Sequence, residues 1–224
     1  FATLARDLVA HADRVAVAAA GLADGAPQHL VVAAPMSTIH EVIAPYIVST
    51  AAAATGPVVT AFDHPALRPA DESLGRADLV VCAGAPSGDL ATHVLGTVTL
   101  CGQVAADHPW AREARSRADL ADLAEERLIV LNRDNMSRVL LDAGLAARGL
   151  TARVAAQCDV EFVVQALAAA GHGVGVLTER PRFGLHPVRL YDADAPMRLT
   201  LHASWEPGHY AAAAIADLAA GLGA

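Results

Sequence analysis

The sequence predicts an α/β protein made of two Rossmann-like subdomains with a cleft between them, preceded by a helix, and three observations predict it. Short apolar runs alternate with alanine-rich helical stretches from His29 to Cys82, and the alternation restarts after Trp110 and runs to Leu177. Each series is followed by a long extended stretch without a helix, Thr92 to Ala106 and Met197 to Trp205. Strands separated by helices imply a parallel sheet with helices on its faces. Two such series with two extended connectors imply two bodies, the chain passing over to the second and later returning.

The material for two cores is present. Of 224 residues, 54% are hydrophobic, which excludes a disordered chain. Phe1, Leu4, Leu8, His11, Val15, Ala18 and Leu22 are spaced 3, 4, 3, 4, 3, 4, a heptad seam that asks for a partner helix. An ordinary amphipathic helix packed on its own domain explains the same stripe. Gly21, Gly25 and Pro27 then end the helix and begin a linker.

The first α/β series reads as a strand Leu30–Ala34, a helix Ser37–Ala54, a strand Val58–Phe62, a short helix ending near Gly75, and a strand Asp78–Cys82. The second reads as a helix Asp119–Glu125, a strand Leu128–Leu131, a helix Ser137–Arg148, a strand Ala152–Ala156, a helix Asp159–Ala170 and a strand Val174–Leu177. A last helix runs from about His209 to Leu222. Crossing strands are expected at Leu100–Val104 and Leu199–Ala203.

Charge and composition narrow the function. Sixteen basic residues against twenty-four acidic ones give a net charge of −8, which argues against direct binding of a phosphate backbone. Cys82, Cys101 and Cys158 are far apart and form no C-x-x-C pair, which fits a reducing compartment. No apolar run nears the roughly 20 residues that span a bilayer, and the start is not a signal peptide. A cytoplasmic protein is expected. Because the chain opens on Phe1 in mid-helix, a segment ahead of it is expected as well.

Catalytic and metal chemistry find little support. In Gly171-His172-Gly173-Val174-Gly175 a helix precedes the glycines and a strand follows, the reverse of a dinucleotide fingerprint. Gly171 reads as a helix C-cap, and Gly173 and Gly175 as positions where backbones approach closely. Ten histidines form no H-E-x-x-H or H-x₃-H pattern, so neither a metal nor another cofactor is expected. No serine lies in G-x-S-x-G. Cys158-Asp159 at a helix start would lower a thiol pKa, while Asp159 as an N-cap beside a small apolar Cys158 is the plainer reading.

What recurs is the opening of helices with short polar side chains after strands: Pro35-Met36-Ser37-Thr38, Asn132-Arg133-Asp134-Asn135-Met136-Ser137, and Gln157-Cys158-Asp159. Strand C-terminal edges in parallel α/β sheets are where ligands bind. Helix N-termini there offer unpaired N–H groups and a partial positive charge, which favours an anion. Simple N-capping accounts for many such residues. Ser37, Thr38, Asn135 and Ser137 are the leading candidates for contact with a small anionic ligand. Arg133 is the candidate countercharge, and Cys158 and Gln103 stand behind them.

In its order of motifs the chain resembles the effector-binding domain of LysR-type transcriptional regulators. The carrying residues are the heptad helix and linker, Ala33-Ala34-Pro35-Met36-Ser37-Thr38 after Leu30-Val31-Val32, Gly75-Arg76-Ala77-Asp78-Leu79-Val80-Val81, Ala106-Asp107-His108-Pro109-Trp110-Ala111, and Ala169 to Leu177. The resemblance implies a type 2 periplasmic-binding-protein-like fold with residues 1–25 as a linker and dimerisation helix. Residues 29–100 and 203–224 would form the first regulatory subdomain, and 101–202 the second with its crossing strands. It implies no catalysis, a small-molecule effector bound between lobes, a homodimer or homotetramer, and DNA reached only through an N-terminal helix-turn-helix that this chain lacks. A transporter's solute-binding protein and a small α/β enzyme are the alternatives. The chain departs from the family pattern between His64 and Ser73, where Pro65 and Pro69 give a poor helix, and from Pro181 to Pro187, which reads as irregular.

Overall fold

The computed structural model describes residues 27–50, 56–65, 67–84 and 88–223, with positions 9, 12, 16 and 19. The heptad seam, the linker glycines and the end of the first long helix at Ala54 lie outside the described residues. The chain divides into two compact units, one running to Gly96 and resuming at Leu201, the other Thr97–Thr200.

The first unit is built on strands β1 (His29–Ala34), β2 (Val58–Asp63), β3 (Leu79–Ala83), β4 (Ala91–Thr99) and β12 (Arg198–Trp205), in the order β2-β1-β3-β12-β4. β1 pairs in parallel with β2 and β3. Leu30, Val32, Ala33 and Ala34 of β1 are all buried, as expected of a central strand covered on both faces. Ala33 and Val80 share a cluster with Ala70 and Ala77, against which Phe62, Leu74 and Leu90 pack. The helices are α1 (Met36–Thr38), which passes through a π turn at Ile39–Ile43 into α2 (Ala44–Thr50), then α3 (Asp71–Leu74) and the C-terminal α8 (Ala212–Leu222). In α8 Ile215, Leu218, Ala219 and Leu222 are buried, one stripe at helical spacing. A Cβ on Gly221 would lie 2.7 Å from the Tyr46 ring, so α8 passes close to α2 there.

The second unit contains β5 (Cys101–Val104), β6 (Arg117–Asp119), β7 (Arg127–Leu131), β8 (Arg153–Cys158), β9 (Val174–Leu177), β10 (His186–Asp192) and β11 (Ala195–Pro196), with helices α4 (Pro109–Arg112), α5 (Leu120–Glu125), α6 (Met136–Ala147) and α7 (Glu161–Ala169). Its sheet order is β11-β10-β5-β9-β7-β8, with β6 beside β10. Along β7, Leu128 and Val130 enter one core cluster with Leu120, Leu123, Leu141 and Leu145. Ile129 and Leu131 enter the other, with Val164, Ala168 and Leu177. The alternation is that of a strand buried on both faces. Gly173 has φ +153°, and a Cβ there would run into the carbonyl of Arg127. A Cβ on Gly175 would meet Val164 at 3.2 Å, so the glycines serve close packing at the entry to β9.

The strands separated by helices pair in parallel as expected, while the two extended connectors add antiparallel strands. β12 runs antiparallel to β3, and β5 antiparallel to both β9 and β10. Parallel pairing follows from a helical crossover between consecutive strands, and neither β5 nor β12 is reached through one. The expected single stretch from Thr92 to Ala106 is broken at Leu100 into β4 and β5. Within 181–187, read as irregular, the chain already enters β10 at His186.

Candidate functional site

In the second unit, β7 is parallel to both β8 and β9, so the C-terminal ends of the three strands form one edge. At that edge Asn132 donates its backbone N–H to the carbonyl of Cys158 at 3.0 Å. The amide of Gln157 donates to Asn132 Oδ1 at 2.8 Å. Asn135 is the N-cap of α6: its Oδ1 accepts from the Ser137 N–H at 2.9 Å and from the Ser137 hydroxyl at 2.5 Å. Extended backbone at Asn135, φ −93° and ψ 135°, gives the side chain the reach a cap requires.

Arg138 is the residue this edge adds to those singled out in sequence. It is 6% exposed. Its guanidinium donates to Asp142 at 2.8 Å, to the Leu131 carbonyl at 3.1 Å and to Gln157 Oε1 at 3.3 Å. The helical i, i+4 relation to Asp142 neutralises the charge, and the other two bonds fix the ends of β7 and β8. An arginine in an amphipathic helix usually faces solvent, so nothing in the sequence distinguished this one. Arg133, the expected countercharge, is exposed.

Gln103 and Cys158 stand differently from expectation. Gln103 is wholly buried on β5, and its amide nitrogen donates to the Glu179 carbonyl at 2.6 Å. Cys158 ends β8 and does not open a helix; Val160, in extended conformation, is the residue before α7, with no side-chain cap. Asp159 is therefore not an N-cap. Burial, then the neighbouring Asp159, raises the Cys158 thiol pKa, and burial raises those of Cys82 and Cys101. None of the three has the depressed pKa of a nucleophilic thiol.

In the first unit, α1 leaves the C-terminal edge of β1 at Pro35, whose φ of −56° and ψ of 148° turn the chain into the helix without any side-chain cap. Ser37 lies within the first turn and does not cap it. Its side chain is half-buried and Thr38 is buried. Proline offers no hydrogen-bonding side chain, so the first N–H groups of α1 keep their donor capacity. Beside them His64, 1% exposed, follows β2, and its backbone N–H reaches the Ala34 carbonyl at 2.9 Å. Its Nε2 lies 3.1 Å from the Arg68 carbonyl and its Nδ1 2.8 Å from Ser73 Oγ. A carbonyl only accepts, so Nε2 donates to Arg68, and in the neutral ring the Ser73 hydroxyl donates to Nδ1. The loop that Pro65 and Pro69 keep from being helical is thus fastened through an imidazole.

Ser37 and Thr38 are brought together in one unit, and Asn135, Ser137 and Cys158 at one edge of the other. Among the described residues no group of three or more His, Cys, Asp or Glu forms a metal site. No helix among them is long and apolar enough to cross a membrane.

Comparison with protein families finds the LysR substrate binding domain over residues 23–223. No curated protein matches the chain. Among solved structures, the effector binding domain of QuiR in complex with shikimate is similar at 15% identity, with 85% of this chain and 94% of that one covered and a TM-score of 0.69. The CcmR regulatory domain of Synechocystis PCC6803 in complex with 2-PG gives 16%, 87% and 95%, with 0.70. CbnR, a LysR family transcriptional regulator, gives 14%, 98% and 78%, with 0.74.

Proposed function

The chain belongs to the LysR substrate-binding domain family, the effector-binding regulatory part of LysR-type transcriptional regulators, and on that premise we propose that its two units each lend a helix opening to one site for a small anionic metabolite. Ser37 and Thr38 with the first N–H groups of α1 serve from one side, and Asn135 and Ser137 from the other. The observation that carries this reading is the opening of α1: uncapped donors at the C-terminal edge of parallel strands suit an oxyanion. The shikimate bound to QuiR, a carboxylic acid, supports the same ligand class. Arg133, exposed beside Asn132, supplies countercharge. Cys158 borders the site, whereas buried Gln103 acts behind it.

The effector favours one of two arrangements of the units, and the change is passed to a DNA-binding module elsewhere in the regulator. The regulator works in the cytoplasm as a dimer or tetramer, with residues 1–25, whose heptad spacing suits a linker and dimerisation helix, contributing to assembly. A thermal-shift screen of small carboxylates, phosphates, amino acids and aromatic acids tests the ligand class. A ligand at a hundred times its dissociation constant stabilises by about 2.7 kcal/mol. Calorimetric titration of the best acid against Thr38→Val and Ser137→Ala then tests the site: weaker binding in both supports it, and unchanged affinity in both folded variants moves the site elsewhere.

A further inference from the structure

We infer that Gln103 and Gln165 are positioning residues, a buried amide pair that holds the chain leaving β9 in place at the edge where the effector site is proposed. The inference rests on that reading for its functional meaning, although the pair itself does not. Gln103 is 0% exposed on β5 and Gln165 is 2% exposed on α7. Gln103 Nε2 donates to the Glu179 carbonyl at 2.6 Å. Gln165 Nε2 donates to Gln103 Oε1 at 3.0 Å and to the Arg180 carbonyl at 2.8 Å. The two carbonyls are consecutive, so peptide and amides close a ring of hydrogen bonds.

The ring fixes its own polarity. Turning the Gln103 amide over would set oxygen against the Glu179 carbonyl and nitrogen against the Gln165 nitrogen, so the carbonyls select one orientation of each amide. Two apolar side chains would fill the same space, but they would leave the buried Glu179 carbonyl and the part-buried Arg180 carbonyl without these donors. The pair therefore specifies a conformation as well as filling volume.

What it specifies is the exit of β9. Residues 178–180 leave the sheet on the edge shared with Asn132 and Cys158, because β9, β7 and β8 are parallel. Glu179, 9% exposed, turns its carboxylate back onto the Thr178 N–H at 3.2 Å. Holding the 179 and 180 carbonyls thus sets where the Thr178 and Glu179 side chains stand along that edge. Gln103 belongs to β5, the strand that follows β4 after Leu100. A shift of the edge is in this way passed to β5, the first strand that lies wholly in the second unit.

Amide hydrogen exchange of this chain without ligand tests the pair. In Gln165→Met and Gln103→Met, amides 178–185 are expected to exchange at least tenfold faster, while those of β7 and β8 keep their rates. Gln103→Glu adds a readout that packing alone would not move. In this variant the protonated carboxyl can donate to the Glu179 carbonyl and accept from Gln165, as the native amide does; the ionised carboxylate cannot donate. Exchange at 178–185 in Gln103→Glu, normalised to wild type at each pH, should be near wild type in acid and rise as the carboxyl ionises. If the Met variants do not fold, the pH dependence of Gln103→Glu decides alone. Unchanged rates in the Met variants, uniformly raised rates throughout the second unit, or no pH dependence in Gln103→Glu would overturn the inference. Because the exchange is measured without effector, failure of the ligand screen leaves this result standing, and the reverse holds too.

Discussion

Asn135 and Ser37 occupy similar places in the sequence, each a short polar residue at a helix opening after a strand, yet only Asn135 caps its helix. Asn135→Ala is expected to cost about 1 kcal/mol, the usual worth of an N-cap. Ser37→Ala is expected to cost less than about 0.5 kcal/mol, as a surface-like change without a lost cap. Urea unfolding of the two variants checks the contrast; a Ser37→Ala loss equal to that of Asn135→Ala would show that Ser37 does cap α1. Arg138→Met should cost more, roughly 1–3 kcal/mol, since it leaves the Leu131 carbonyl and Gln157 without their charged donor. Equal stability of Arg138→Met and wild type would show those bonds to be replaceable. The candidate side chains at openings were legible because residue type and position after a strand announce them. Arg138, His64 and Gln165 were not, because their roles depend on burial and on partners in other elements, such as Ser73 for His64 and Gln103 for Gln165.

At the scale of elements, Asp119 ties three of them together. It caps α5 by accepting from the Ala121 N–H, accepts from the Ala193 N–H in the turn after β10, and pairs with Arg148 at the end of α6. The Ala121 backbone bond, with Arg148 and the Ala193 bond behind it, lowers the Asp119 pKa despite an opposing effect of burial. A carboxyl with a depressed pKa in the folded state stabilises fully above its unfolded pKa, near 4. That contribution is lost as pH falls through the folded value. Asp119→Asn should accordingly be less stable than wild type at pH 7, and the gap should close below pH 4. A gap constant from pH 7 to pH 3 would exclude the carboxylate as its source. Gly173→Ala is expected to be harsher, at least about 2 kcal/mol, because backbone rather than a flexible side chain occupies the Cβ position; thermal unfolding measures it. Strands β1, β3, β7 and β9 could be read from apolar runs with only small shifts at their ends. β10 could not, since His186-Pro187 and the charged Arg189 disguise a strand whose Val188 and Leu190 are buried. The direction of β5 and β12 was likewise hidden, because apolar pattern reports burial and says nothing of strand polarity.

For the whole molecule, the division into two units rests on separate clusters of apolar residues, and each unit offers a helix opening at the C-terminal edge of its own parallel strands. On the proposal that the units take two arrangements, a ligand that bound both equally would shift nothing, however tightly it bound. Moving the balance from 1:99 to 99:1 demands about 5.5 kcal/mol of differential affinity, a ratio of roughly 10⁴. An anion held by a single charge-assisted bond of about 1.5–3 kcal/mol would not reach that ratio, whereas two bonds of about 3 kcal/mol or three of about 2 kcal/mol, formed in only one arrangement, would. The acid that gives the largest thermal shift is therefore expected to change the solution scattering profile of this chain. Asn135→Ala, which removes a donor group from one side of the proposed site, should retain weakened binding yet show a smaller change in the profile at saturation. Scattering profiles that superimpose for free and saturated wild type would mean that the acid binds without selecting an arrangement. The signal to the rest of the regulator would then have to travel by local stiffening within one unit, which hydrogen exchange on the same samples would detect as protection confined to either the α1 or the α6 side.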